Sequence, residues 1–164
     1  MPSRIFLGIQ IQCAQCHDHP TDVWRRHQFH ELTAYFARDR ERLVRDTSTT
    51  DTKQVRFIGL ELVSLPFGEH RMPSKTDPRQ STVTSPRFLD GKAPREGLSD
   101  VERRKALADA VVSKQNYWFA GAYVNRVWGE LMGQSFFTPV DSPSRICRWY
   151  VSVLRMVRNI PFMS

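Results

Sequence analysis

A mainly α-helical fold, with helical segments, one short strand region and a long Pro- and Gly-rich connector, is what the sequence predicts. Three observations carry that expectation. Ser99-Asp100-Val101-Glu102 is a capping box, in which a hydroxyl and a carboxylate satisfy free backbone N–H groups at a helix start. Gly133 stands just past an apolar run of helical spacing, where a left-handed cap ends a helix. Only Val55 to Leu65 concentrates Val, Ile and Leu as a strand does, and Gly59 weakens even that run.

Ile5, Ile9 and Cys13 fall at i, i+4 and i+8, so residues 4–16 read as the end of a helix, and Pro20 stops it. Thr21 or Asp22 caps the next helix, from Val23 to Arg45, with Trp24 at its start and Phe29, Leu32, Phe36 and Leu43 as the inward stripe. Residues 47–52 are a polar linker. Residues 66–98 contain Pro66, Gly68, Pro73, Pro78, Pro86, Gly91, Pro94 and Gly97, and no periodicity survives such punctuation. They read as an extended connector. The capped helix runs to about Ser113 with Leu107, Val111 and Ala108 inward. Asn116 opens the last helix, to Met132, whose buried stripe is Ala120, Val124, Val127 and Leu131, widened by Phe119, Tyr123 and Trp128. No repeat at a solenoid period is present.

At 164 residues, 40% hydrophobic and 25% charged, the chain has the composition of a globular protein and the length for one domain with a sizeable core. It has no apolar run of the ~20 residues that span a membrane. The formal net charge of +7 suggests nucleic acid or anionic surfaces. Yet Arg25, Arg26, Arg38, Arg40, Arg42 and Arg45 alternate with Asp39, Glu41 and Asp46, as on a solvated face. No nucleic-acid-binding signature accompanies the charge, so a nucleic-acid partner is not expected. Residues 142–164 hold four Arg (Arg145, Arg148, Arg155 and Arg158) and no acid. The N-terminus does not read as a signal peptide: Met1-Pro2-Ser3-Arg4 precedes only Ile5 to Ile11, broken by Gly8 and Gln10, with no small-residue cleavage site.

The chemistry concentrates in Cys13-Ala14-Gln15-Cys16-His17-Asp18-His19-Pro20. Cys-x-x-Cys-His is the attachment pattern of a c-type haem: two thiols take the vinyl groups and the following imidazole ligates iron. On a helical turn Cys13, Cys16 and His17 share one face and can address one flat ligand. Spacing alone leaves haem, a zinc site and no ligand all open. His17 is the proximal candidate. Met72 stands as a distal methionine would, although a loop methionine without a ligand is the commoner case, and His19, His27, His30 and His70 are further distal candidates. The zinc alternative uses Cys13, Cys16, His27 and His30, but its Cys–His gap is short and its His-x-x-His tighter than usual. No nucleophile–base pair, phosphate loop or carboxylate pair marks an enzyme. Asn125 and Arg126 are polar among apolar residues, and Arg126 with Asp141 reads as a structural ion pair. Cys147 is given no role.

Phe6 to Gln12 running into the Cys13–Pro20 motif, then Asp22, Trp24 and Leu32 to Ala37, resembles the planctomycete-type cytochrome c domain, found in large envelope proteins. Ser85 to Gly91, Arg104 to Leu107, Phe119-Ala120 and Val124 to Trp128 through Pro139-Val140-Asp141 resemble the planctomycete-specific domain that follows it. The resemblance implies covalent haem on Cys13, Cys16 and His17 and electron transfer to a partner it does not name. It implies a division into 1–65, the end of the cytochrome-like domain; 66–98, the connector; 99–141, the start of the partner domain; and 142–164, a divergent basic tail. It places the full-length relative in the periplasm or cell envelope, whereas the chain as given shows no signal peptide, which leaves its own location cytoplasmic or unknown. Family members continue upstream of this point and past Asp141, so the sequence is expected to be a fragment, with a frame change near Asp141.

Overall fold

The computed structural model describes residues 2–45, 57–77 and 79–138. Over these the fold is mixed α and β, 40% helix and 18% strand with two small antiparallel sheets, which corrects the expectation of a mainly helical chain with one strand region. The chain divides into two compact units, one of Met1–Phe29 with Leu107–Ser164 and one of His30–Ala106.

Gly8 shapes the first unit. Helix α1 (Pro2–Leu7) stops there because the glycine sits at φ 66°, a left-handed conformation that costs other residues energy. The helix therefore does not run on to residue 16. A 3-10 turn, Ile11–Gln15, takes its place. The next helix is shorter still: α2 covers only Arg26–Thr33, followed by a second 3-10 turn, Ala34–Phe36.

Residues Asp39–Arg45, expected as helix, are strand β1. It pairs antiparallel with β2 (Phe57–Ser64), from Asp39 opposite Ser64 to Arg45 opposite Phe57. Arg, Glu and Leu favour a helix, but only by a few tenths of a kcal/mol each. The strand formers of β2 need a backbone partner, and that need wins. Leu43 consequently sits exposed opposite Leu60, not in a buried stripe. The strand expected from Val55 is found as β2; Val55 and the 47–52 linker lie outside the described residues. The connector is also not featureless. It contains a second hairpin, β3 (His70–Pro73) with β4 (Ser81–Thr84), His70 opposite Thr84 and Pro73 opposite Ser81.

Helices α3 (Asp100–Val111) and α4 (Tyr117–Met132) stand where capping chemistry places them. Glu102 accepts the Ser99 backbone N–H at 2.9 Å while the Ser99 hydroxyl accepts from the Glu102 N–H at 3.4 Å. The Asn116 side chain accepts the Trp118 N–H at 3.1 Å, and Gly133 closes α4 at φ 75°. Leu107 and Val111 face inward as expected; Ala108 is exposed.

The buried face of α4 differs from the expected one. Trp118, Gly121, Ala122 and Asn125 are buried, while Val124, Val127 and Leu131 are exposed, Leu131 to 74%. Small Gly121 and Ala122 suit a close helix contact, and α4 packs against α1. Asn125 then clasps the returning chain, its Nδ2 donating to the Phe137 carbonyl (3.3 Å) and its Oδ1 accepting the Phe137 N–H (3.1 Å). Arg126 donates to the carbonyls of Arg4 (2.7 Å) and Ile5, at the end of α1 where carbonyls lack helical partners. Asp141, its expected ion-pair partner, lies outside the described residues, as do Cys147 and the 142–164 tail.

In the second unit Leu32, Ala34, Tyr35, Phe88 and Leu89 are buried. Glu69 holds two guanidinium groups: Arg103 binds it through both nitrogens (2.9 and 2.7 Å) and Arg38 through one (2.7 Å). Hydrogen bonds from Arg103 are the first cause holding the Glu69 carboxyl below its usual pKa. A second group is less comfortable. Asp39 and buried Asp100 share Arg104, at 3.5 and 3.0 Å. Burial, and then the charge of Asp100, push the Asp39 carboxyl above its ordinary value. A carboxyl that binds its proton more tightly when folded stabilises the fold at acid pH and loses that contribution as pH rises through its folded-state pKa. Asp39→Asn is therefore expected to raise the melting temperature at pH 7 by a few degrees and to have no such effect near pH 3; thermal unfolding at the two pH values checks this. No helix of the described residues is long and apolar enough to cross a membrane.

Candidate functional site

The 3-10 turn at Ile11–Gln15 explains how the motif is presented. With three residues per turn, positions i and i+3 line up along one ridge. Ile11 and Ala14 form the ridge that is fully buried. Cys13 lies within the turn and Cys16 is the residue that caps its end, and both are exposed free thiols. The apolar spacing that anchors the turn thereby sets both sulfurs outward.

His17 follows, exposed, with its ring Nδ1 2.6 Å from the Asp18 carbonyl oxygen. A carbonyl can only accept, so Nδ1 carries a proton, and in the neutral ring Nε2 keeps its lone pair. That is the tautomer of a metal-ligating imidazole oriented by a backbone carbonyl. His19 is held the other way: its Nδ1 accepts the Thr21 N–H at 3.3 Å, so the neutral ring carries its proton on Nε2. Met72 lies half-buried in β3 of the second unit, opposite Thr82.

Asp18 fixes the loop. Its Oδ1 accepts the Arg26 N–H that opens α2 (2.8 Å), and its Oδ2 pairs with Arg25 Nη1 (3.1 Å). The expected caps, Thr21 and Asp22, do not serve α2; the Asp22 carboxylate takes the Val23 N–H. The His19 N–H donates to the Trp24 carbonyl at 2.8 Å, and the buried Trp24 ring packs on Trp118 with centroids 5.6 Å apart. Among the described residues the buried Trp24 indole N–H has no hydrogen-bond acceptor.

Among the described residues no three His, Cys, Asp or Glu side chains converge to hold a metal ion. Of the zinc candidates, His27 is exposed and His30 is 4% exposed with its Nδ1 2.8 Å from His70 Nε2. The two rings stack with centroids 5.1 Å apart, and burial holds the His70 pKa below its usual value. Sequence reasoning missed this pair, the Glu69 cluster and the Trp24–Trp118 contact, because each joins residues far apart in the chain. Asp18 likewise gave no local capping signal, because it reaches the Arg26 N–H from eight residues upstream of the helix start.

Residues 2–41, about a quarter of the chain, match the family model described as PSCyt2, protein of unknown function (DUF1549). The matched stretch contains the whole Cys13–Pro20 motif, the Asp18-tethered loop and α2, and it is similar to a planctomycete-type cytochrome domain family. No curated protein and no solved structure matches the chain.

Proposed function

We propose that Cys13, Cys16 and His17 hold a covalently attached haem and that the chain is part of a one-electron carrier of the cell envelope. The observation that supports it most is the contact of His17 Nδ1 with the Asp18 carbonyl beside two exposed thiols. The residues fit the group. Cys13 and Cys16 would each hold the group by a thioether, the S–H adding across one vinyl C=C. His17 would hold its iron through Nε2, with the Asp18 carbonyl holding Nδ1–H and fixing the ring. The unsatisfied Trp24 indole N–H is the donor a carboxylate-bearing ligand seated at this loop would engage. Haem supplies the one-electron iron couple. The chain supplies attachment, one axial ligand and a loop pinned by Asp18.

The His19 ring already accepts the Thr21 N–H at Nδ1, which sets its role apart from that of His17. The test is export of the chain into a bacterial periplasm with haem-attachment machinery. The parent is expected to retain haem-dependent peroxidase staining after denaturing electrophoresis, and the Cys13→Ser/Cys16→Ser double variant to lose it. Equal staining of both, or none in a parent shown by circular dichroism to be folded, contradicts the reading.

A further inference from the structure

The second unit carries a cleft that the haem reading does not use. A cavity of about 480 Å³ opens beside β4, walled by Pro86, Pro94 and Leu98 and floored by the Glu69–Arg103 pair. Its volume falls within the range of small-ligand sites. Its shape is set by the loop Ser85–Leu98, whose turn at Asp90-Gly91 closes on Phe88 with a 2.9 Å backbone bond and needs Gly91 at φ 87°.

Two features decide what the cleft suits. The first is backbone chemistry. Among the described residues β4 pairs with β3 on one side only, so its other edge carries strand N–H and C=O groups without a ladder partner there. Val83, on that strand, lines the cleft and is 51% exposed. A free strand edge beside a groove is the arrangement that takes an extended peptide as an added strand. The second is charge. Glu69 is already paired with Arg38 and Arg103 and offers no net negative charge. Arg87 and Arg95 line the cleft with Glu96; Arg87 is paired with Glu31 at 3.3 Å, whereas exposed Arg95 is near enough to Glu102 to act on its charge and is the cation left to meet an incoming acid.

We infer that this cleft binds an extended peptide segment of a partner protein, added as a strand along β4, with an Asp or Glu side chain of the peptide meeting Arg95. Backbone pairing gives the affinity.

The experiment uses the full 164-residue chain and a fluorescent pentapeptide of alternating valine and glutamate, read by anisotropy. Saturable binding is expected. Arg95→Glu, an exposed change that leaves the fold intact by circular dichroism, should weaken it at least ~10-fold, which is about 1.4 kcal/mol. N-methylating alternate peptide amides, which removes strand donors but no charge, should weaken it as much. Binding that is equal for the N-methylated peptide means charge alone is read and overturns the strand model. Binding unchanged by Arg95→Glu overturns the placement. The absence of saturable binding, or a sedimentation profile showing that a second copy already occupies the edge, overturns the proposal.

Discussion

The His17→Ala chain, exported and matured beside the parent, is expected to carry at least ~10-fold less iron-ligated haem, with its absorption bands displaced from those of the parent. The magnitude follows from the ligand's role: removing even the partner of a metal ligand costs 10–100-fold in affinity, and removing the ligand costs no less. The structure adds a distinction. His17 is exposed and the buried ridge beneath it is Ile11 and Ala14, so the substitution leaves folding untouched. Unchanged melting with altered bands is the expected combination, and absorption spectra with thermal unfolding on one sample check it. A further variant, Asp18→Asn, keeps the backbone carbonyl that orients His17 but weakens the charge tether to Arg25.

Trp118→Ala is expected to cost about 3–5 kcal/mol, the range for deleting a buried aromatic side chain. Trp118 is 8% exposed and touches both Trp24 and Tyr117. For a chain of this size that lowers the melting temperature by on the order of 10 °C, measured by thermal circular dichroism. The change also reaches the motif. Trp24 accepts the His19 N–H, so losing its ring partner loosens the loop after His17. Haem yield is therefore expected to fall with stability, whereas His17→Ala lowers haem alone.

What was legible in the sequence is what short-range chemistry dictates. Ser99 with Glu102, Asn116 with the Trp118 N–H and Gly133 with its positive φ each act within four residues, and all three are found as read. So is β2, whose Val-, Ile- and Leu-rich run needs no long-range knowledge. The misreadings are tertiary. Nothing local in Asp39–Arg45 announces a strand; it pairs because β2, some twenty residues on, lacks a backbone partner. Helix α4 carries apolar residues around much of its surface, so periodicity could not say which side Gly121 and Ala122 would bury. His30 was grouped with the cysteines by spacing, yet its ring meets His70, 40 residues away. At the motif the residue types were legible and the mode of display was not. A 3-10 turn, not an α-helix, carries Cys13 and ends at Cys16, and the Asp18 carbonyl orients the His17 ring.

The most direct measurement is mass spectrometry of the tryptic peptide from Ile5 to Arg25, released from the exported, matured chain. Covalent haem on Cys13 and Cys16 predicts a peptide heavier by one haem, with fragments placing that mass on both cysteines and neither thiol available to an alkylating reagent. A peptide at its unmodified mass with both thiols alkylated, recovered from a folded chain, would contradict the assignment.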